Sequence, residues 1–220
     1  MKQSEDSKKA FAAISEDRLV ALARKIISMP SKLFEEHEVA DYLDRYLSDM
    51  GFAVEMMEVT HPWDETLVTR QPIAILKGTG GGPSLMINGH MDTNVTMSGW
   101  TVDPYEGKLE DGWLWGLGAQ DDKGGMAAAI SGIEGLIEAG IKLKGDIVMC
   151  PVAAHKVGGT GTRTLLRKGV GADFCINIEH AANTIGTVCT GGIRVKITTT
   201  TPGLFFRFTP EARAKYTNAI

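Results

Sequence analysis

Apolar positions recur along the chain with two spacings, and each spacing predicts a different kind of element. A spacing of three and four residues predicts helices over residues 15–29, 35–49, 122–142 and 161–168. Short apolar runs bounded by turn residues predict strands over residues 52–60, 72–76, 84–87, 146–152 and 173–178. Because strands alternate with helices, the pattern predicts an α/β fold with a mostly parallel, mixed sheet flanked by helices.

A new series of predicted elements begins near residue 190. Residues 193–201 have the composition of a new strand, and a helix is expected to begin at Pro210. The acidic residues of the second predicted helix, over 35–49, are expected to form its solvated face. We therefore expect one main domain and the opening elements of another.

Composition narrows the range of partners. The chain has 220 residues, of which 43% are hydrophobic, enough for one packed domain of ordinary size. Its 23 Lys and Arg against 27 Asp and Glu give a net charge of -4, which provides no basic surface for nucleic acid or an anionic membrane. No apolar stretch approaches a membrane span, no secretory signal is visible, and the three cysteines are widely spaced. We expect a cytoplasmic protein.

Polar residues that could carry chemistry stand where predicted strands end. His90 and Asp92 follow one strand, Glu179 follows another, and Asp121 and Asp122 precede the third helix, where one carboxylate could cap it. Ligands bind at the carboxyl ends of strands in open α/β sheets, so these side chains are expected to lie close together. Each alone could be a structural hydrogen-bonding residue or a helix cap. Together they offer the imidazole and carboxylate donors that suit zinc, manganese or cobalt.

The ordered set of segments closely resembles the co-catalytic metallohydrolase family of aminoacylase, acetylornithine deacetylase, succinyl-diaminopimelate desuccinylase and glutamate carboxypeptidase. The segments that carry the resemblance are SMPS at 28–31, GHMDT at 89–93, WTVDPYEG at 100–107, DGWLWGLGAQDDKGG at 111–125, GGTGTRTLL at 158–166 and INIEH at 176–180. The resemblance implies a zinc-peptidase-like catalytic domain over residues 1–191. It also implies the beginning of an inserted dimerisation or lid domain over 192–220, truncated here, and hence a homodimer.

Residue by residue, the resemblance implies a metal site with three ligands. His90, Asp121 and Glu179 would hold a divalent ion, and Asp92 would orient His90. In relatives Asp121 corresponds to the carboxylate that bridges two metal ions.

The chain departs from its relatives at the position of the general base. Relatives carry Asp-Glu-Glu before a Gly-Gly-x-Gly-Thr segment, the first Glu acting as base and the second binding another metal. Here the corresponding residues are Ala154, His155 and Lys156. Histidine can serve as a base, but a lysine ammonium has no lone pair and repels a second cation. We therefore expect one zinc, manganese or cobalt ion per site, His155 as the base, and Lys156 as a donor to negative charge on the substrate.

A second departure concerns the oxyanion. Arg207 stands where relatives usually carry a His that reaches across a dimer to the substrate's oxyanion. A guanidinium can stabilise an oxyanion or clamp a carboxylate, although a plain surface arginine fits equally well.

These residues favour a metal-dependent hydrolase that cleaves the C–N amide bond of a small acylated amino acid or amine. Two alternatives stay open. The altered base and a cluster of Phe205, Phe206 and Phe208 would also suit a hydrolytic deaminase of a small aromatic amine, as in a nitroanthranilate aminohydrolase-like branch. The His155-Lys156 pair could instead mark a catalytically silent metal-binding or ligand-binding protein.

Overall fold

The computed structural model describes residues 4–179 together with residues 184 and 186. The chain separates into two compact units, Met1–His180 and Ala181–Ile220. Several sequence-based expectations lie outside the described residues. They are the strand at 193–201, the helix from Pro210, the boundary between 191 and 192, the phenylalanine cluster and Arg207.

The four predicted helices are present, and the described residues contain one more. The helices are α1 (Glu5–Ala12), α2 (Glu16–Ile27), α3 (His37–Asp49), α4 (Lys123–Glu138) and α5 (Thr160–Arg167). The additional helix, α1, buries only Ala10, so its sequence shows little apolar periodicity. Helix α4 ends four residues before the predicted end at 142, because Gly140 adopts a φ of 67° and turns the chain out of the helix.

In residues 4–179 the strands form a five-stranded sheet and a separate two-stranded hairpin. The strands are β1 (Ala53–His61), β2 (Asp64–Leu76), β3 (Leu85–His90), β4 (Lys108–Glu110), β5 (Trp113–Trp115), β6 (Ile147–Val152) and β7 (Phe174–Asn177). Strand β2 is longer than the predicted 72–76 because its first half pairs with β1 in an exposed hairpin, where apolar side chains are not needed.

The large sheet has the order β1-β2-β6-β3-β7. Strand β3 pairs in parallel with both β6 and β7, whereas β2 runs antiparallel to β1 and β6. Four of the five strands thus share one direction, which confirms the mostly parallel, mixed sheet. Helices α2, α3 and α4 pack on one face through Ile87 and Met149, and α5 packs on the other through Val148 and Cys150.

This topology brings the functional segments to one edge of the sheet. The carboxyl ends of β3, β6 and β7 lie side by side, since the three strands are parallel neighbours. Helix α4 begins next to the same edge, where Asp122 accepts a hydrogen bond from the main-chain N–H of His90 at 2.9 Å. The expected convergence of strand ends is therefore a property of the sheet order.

Within the part of the chain that the structure describes, no helix combines the length and the apolar character needed to cross a bilayer.

Candidate metal centre

His90 is the last residue of β3, and its orientation is fixed by the main chain. Its ring is buried, with 2% of its surface exposed, and its Nδ1 atom lies 2.9 Å from the main-chain oxygen of Asp92. A carbonyl oxygen only accepts hydrogen bonds, so Nδ1 carries the proton and donates to it. In this tautomer the Nε2 atom keeps its lone pair, which is the form of histidine that binds a metal.

Two carboxylates approach this lone pair from distant parts of the chain. Asp121 Oδ1 lies 2.9 Å and Glu179 Oε1 lies 3.9 Å from His90 Nε2. The structure thus brings together the three side chains singled out from the sequence. A lone pair and a carboxylate oxygen at 2.9 Å repel each other unless a proton or a cation lies between them.

The contact between Asp92 and the His90 ring is made by the main-chain oxygen of Asp92 and not by its carboxylate. The carboxylate oxygen Oδ1 lies 3.7 Å from His90 Nδ1, which is too far for a hydrogen bond. The two carboxylate oxygens instead accept hydrogen bonds from the main-chain N–H groups of His155 and Lys156, at 2.9 and 3.0 Å. Asp92 therefore ties the β3 end to the segment that follows β6.

His155 lies beside the three predicted ligands. Its ring stacks on that of His90 with centroids 4.4 Å apart and an interplanar angle of 7°, and its Nε2 atom lies 3.3 Å from Glu179 Oε2. One ligand atom from each of His90, His155 and Glu179 lies within 4.8 Å of the others. Burial is the main cause that lowers the pKa of His155; Lys156 lowers it further, whereas the carboxylates of Glu179 and Asp92 raise it. The ring is therefore neutral at neutral pH.

Lys156 supplies a fixed positive charge next to Asp121. Its ammonium donates to Asp121 Oδ2 at 3.0 Å, on the carboxylate oxygen that does not face His90. Burial alone would raise the pKa of the Asp121 carboxyl, but the hydrogen bond from Lys156 and its charge oppose this, and the pKa lies below its ordinary value. Asp121 is consequently ionised at neutral pH.

Asp122 contacts the main chain of His90 and makes no hydrogen bond with its ring. It occupies the N-cap position of α4 but makes no capping hydrogen bond with its side chain, contrary to the expected cap. Its Oδ2 atom accepts from the His90 N–H instead, and among the described residues its Oδ1 atom has no hydrogen-bond partner. Burial raises the pKa of Asp122 to about 7, and the charges of Glu179 and Asp121 add to the rise. This carboxyl is a support for the His90 backbone.

Gly89 allows this close approach of β3 to α4. A Cβ atom at this position would lie 2.8 Å from Asp122 Oδ2 and 2.9 Å from Met126 Cγ, closer than van der Waals contact. Gly89→Ala is therefore expected to destabilise the chain by about 1–3 kcal/mol, the usual cost of overfilling a packed interior. Chemical unfolding of the variant and of Gly132→Ala, whose added Cβ meets no atom within 4 Å, measures the difference. Equal losses in the two variants would contradict the account.

Glu36 is a buried carboxylate that sequence reasoning placed on a solvated helix face. It is 0% exposed, and its Oε1 atom accepts a hydrogen bond from the Ala154 N–H at 3.0 Å. The expectation was wrong because Glu36 precedes the first turn of α3, where its side chain turns inward. A helical spacing does not apply before the helix begins, so no periodic signal marked this residue.

Burial of Glu36 has a consequence for the pH dependence of stability. Desolvation raises its pKa above the ordinary 4.5, against the lowering effect of the Ala154 N–H and the Thr69 hydroxyl. The folded chain thus holds this proton more tightly than the unfolded chain, so the contribution of Glu36 to stability falls as pH rises from about 4.5 through its raised folded pKa. Glutamine does not titrate. The free energy of unfolding of Glu36→Gln, relative to that of wild type, is therefore expected to rise from pH 4.5 to pH 8. Urea unfolding of both chains at these two pH values would show an unchanged difference if this reasoning is wrong.

The residues fit a divalent cation. Zinc binds imidazole nitrogen and carboxylate oxygen at about 2.0–2.2 Å, so ligand atoms in a tetrahedral site lie roughly 3.3 Å apart. The separations of 2.9 and 3.9 Å around His90 Nε2 bracket this value. The lone pair of His90 and the carboxylate of Asp121 are both acceptors, so a positive charge between them would be favourable.

A cavity elsewhere in the chain does not offer a metal site. It has a volume of about 390 Å³, is lined by Leu76, Leu136 and Ile137 among others, and has no His, Cys, Asp or Glu in its wall.

The chain is similar to known proteins in sequence and in fold. The model of Peptidase family M20/M25/M40 matches residues 86–219. The chain is 33% identical over 190 residues to N-formyl-4-amino-5-aminomethyl-2-methylpyrimidine deformylase of Bacillus subtilis (strain 168), which covers 82% of this chain and 43% of the relative. It is 30% identical over 189 residues to succinyl-diaminopimelate desuccinylase of Gluconacetobacter diazotrophicus, covering 81% and 48%.

A solved tripeptidase from Staphylococcus aureus subsp. aureus mu50 has the same fold, with a TM-score of 0.61 and 26% identity over 77% of this chain and 45% of the neighbour. The chain spans less than half the length of each of these three proteins. The family match covers more than half of the chain and includes His90, Asp121 and Glu179. The chain therefore belongs to the peptidase family M20/M25/M40, which confirms the metallohydrolase family indicated by its motifs.

Proposed function

We propose that this protein is a metal-dependent hydrolase that cleaves the amide C–N bond of a small acylated amine or amino acid. The observation that carries the proposal is the approach of Asp121 and Glu179 to the lone pair of His90 Nε2, at 2.9 and 3.9 Å. The names of the two relatives, a deformylase and a desuccinylase, support removal of an acyl group from nitrogen.

His90, Asp121 and Glu179 would hold the ion, which is zinc, manganese or cobalt on the basis of these nitrogen and oxygen donors. When bound, a divalent ion supplies Lewis-acid polarisation of the amide carbonyl and lowers the pKa of water towards neutrality. The main-chain oxygen of Asp92 would hold the His90 ring in its binding orientation, and Asp122 would hold the His90 main-chain N–H, through contacts of 2.9 Å each.

Lys156 supports a site with a single ion. Its ammonium already neutralises the Oδ2 atom of Asp121 at 3.0 Å, so a second divalent ion at that oxygen would have to displace a positive charge. During the reaction Lys156 is also near enough to the ligand set to stabilise negative charge on the substrate. Arg207 is proposed for the same task, although it lies outside the described residues.

His155 is proposed as the general base. Its lowered pKa keeps the ring neutral, and Nε2 faces Glu179 at 3.3 Å, on the side of the ligand set. His155 would accept the proton of the attacking water and pass it to the leaving nitrogen. The backbone of the His155-Lys156 segment is fixed by the Asp92 carboxylate, which keeps the base in place.

Two wider features belong to the proposal on sequence grounds. The resemblance implies a homodimer through residues 192–220 and a small-molecule substrate, and the expectation of a cytoplasmic protein is part of the proposal. Size-exclusion chromatography with light scattering would detect the dimer.

A substrate panel tests the proposed reaction. The full chain, loaded with zinc, manganese or cobalt, is incubated with N-formyl, N-acetyl and N-succinyl amines and with aromatic amines, and free amine, acid and ammonia are measured. We expect the acid and the free amine from the acylated compounds, and loss of turnover after chelation. Ammonia from the aromatic amines alone would favour the deaminase, and bound metal without any turnover would favour a silent binding protein.

A further inference from the structure

We propose that Glu36 is a positioning residue that fixes the turn at residues 154–156 and thereby presents His155 and Lys156 to the metal centre. The catalytic consequence rests on the proposed function, whereas the structural consequence does not. Glu36 precedes α3 and is separated from the turn by 118 residues along the chain, at a distance of 3.0 Å between its Oε1 atom and the Ala154 nitrogen.

Three consecutive main-chain N–H groups of this turn are held by two buried carboxylates. Ala154 donates to Glu36, and His155 and Lys156 both donate to Asp92, at distances between 2.9 and 3.0 Å. Glu36 and Asp92 are each 0% exposed. Burying two carboxylates under one turn is costly, because ionised carboxylates lose water and the charge of Asp92 acts unfavourably on Glu36. The main-chain donors of the turn offset part of that cost, so the turn and the two carboxylates stabilise one another.

Glu36 binds the turn and does not cap its own helix, α3. It occupies the N-cap position of α3, where a side-chain oxygen would normally accept a hydrogen bond from the first helical turn, and it makes no such bond. Its carboxylate is directed inward to Ala154 instead. Burial raises the pKa of Glu36 and the Ala154 N–H opposes the rise, as expected for an acceptor whose partner is this donor.

The backbone of the turn is in a conformation that needs support. Ala154 has a φ of 54°, in the left-handed region that residues with a Cβ rarely adopt. It packs with Phe34 and Val59 in a small apolar cluster, so the segment before α3 and the turn after β6 meet twice, through apolar contact and through Glu36. The hydrogen bond from the Ala154 N–H to Glu36 fixes the direction of the peptide plane at the point where the chain bends.

The direction of the turn determines where the next two side chains go. The N–H groups of the turn are bound by Glu36 and Asp92, so its side chains point the other way. The His155 ring stacks on that of His90 with 4.4 Å between centroids, and the Lys156 ammonium lies 3.0 Å from Asp121. On the other side the turn is tied to α5, since the Ala154 carbonyl accepts from the Thr160 N–H at 3.1 Å. Loss of Glu36 would release the Ala154 N–H and leave the hydrogen bonds from the turn to Asp92 and from Thr160 to the Ala154 carbonyl.

Four chains test this role: wild type, Glu36→Gln, Glu36→Leu and Leu47→Ala. Glutamine keeps an acceptor oxygen for Ala154, and leucine fills a similar volume without one. Leu47 is fully buried on α3 and has no part in the centre, so its replacement is the control for a general loss of stability. For all four chains without metal, NMR measures amide exchange at residues 154–156. Kinetics with an N-acyl substrate gives kcat and KM for the loaded chains.

We expect exchange at the three amides to rise at least about tenfold in Glu36→Leu and to stay near the wild-type rate in Glu36→Gln and Leu47→Ala. We expect kcat to fall about 10- to 100-fold in Glu36→Leu with little change in KM, because a misplaced base slows the reaction more than it weakens binding. Glu36→Gln should retain kcat within about threefold.

Protection of the three amides in Glu36→Leu equal to that in wild type would overturn the proposal. If the leucine variant does not fold, the wild-type chain decides the matter, because amides at 154–156 that exchange as fast as those of exposed turns would overturn it equally. A wild-type chain that turns over no substrate would refute the proposed function and leave the exchange test of Glu36 intact.

Discussion

Replacing His90 with alanine is expected to leave the chain folded but without its metal ion and without measurable turnover. The His90 ring is the element around which the site is arranged, since Asp121 and Glu179 both approach its Nε2 atom. Loss of an outer partner of a ligand already weakens metal binding about 10- to 100-fold, so loss of the ligand itself is expected to cost more than about 100-fold. Metal per chain after dialysis, measured by mass spectrometry, and turnover of an N-acyl substrate check this.

The matched control is His37→Ala. His37 is exposed at the start of α3, so its removal takes away one imidazole without touching the site. It should retain full metal content and activity. If His90→Ala binds as much metal as His37→Ala, the proposed ligand set is wrong.

Replacing His155 with alanine is expected to reduce turnover about 10²- to 10⁴-fold while the metal content stays at the wild-type level. His155 lies beside the ligand set, and its neutral ring can accept a proton from water. His155→Gln keeps a planar polar side chain that cannot act as a base at neutral pH, so it should lose turnover to a similar extent.

The same pair of measurements separates a base from a ligand. His155 Nε2 lies close enough to His90 and Glu179 to share an ion with them. Parallel loss of metal and turnover in His155→Ala would therefore assign it as a ligand. Unchanged turnover in both variants would remove His155 from the mechanism.

The convergence of His90, Asp121 and Glu179 could be predicted because it depends on strand ends, and these follow from local patterns. Apolar runs mark β3 and β7, and an amphipathic pattern marks the start of α4, so the polar residue after each run could be assigned to one edge of the sheet. Helix ends could also be predicted where a local residue determines them. Ser15 is an example, since its side chain accepts a hydrogen bond from the Arg18 N–H at the start of α2.

The parts that could not be predicted depend on contacts between distant segments. The Asp92 carboxylate accepts from N–H groups 63 and 64 residues away, and Glu36 accepts from one 118 residues away. Neither partner leaves a periodic signal near the carboxylate. The tautomer of His90 is set by a main-chain oxygen, which any residue at position 92 would supply. These features follow from the way β3 and β6 lie in the sheet, and only the folded chain shows them.

The most direct test of the account is a crystal structure of the metal-loaded chain with anomalous data collected at the absorption edge of the ion. We predict one ion per chain, bound by His90 Nε2 and by the carboxylates of Asp121 and Glu179 at about 2.0–2.2 Å, with the Lys156 ammonium close to Asp121. An anomalous peak at another place, or three side chains that face each other with no ion after loading, would contradict the account.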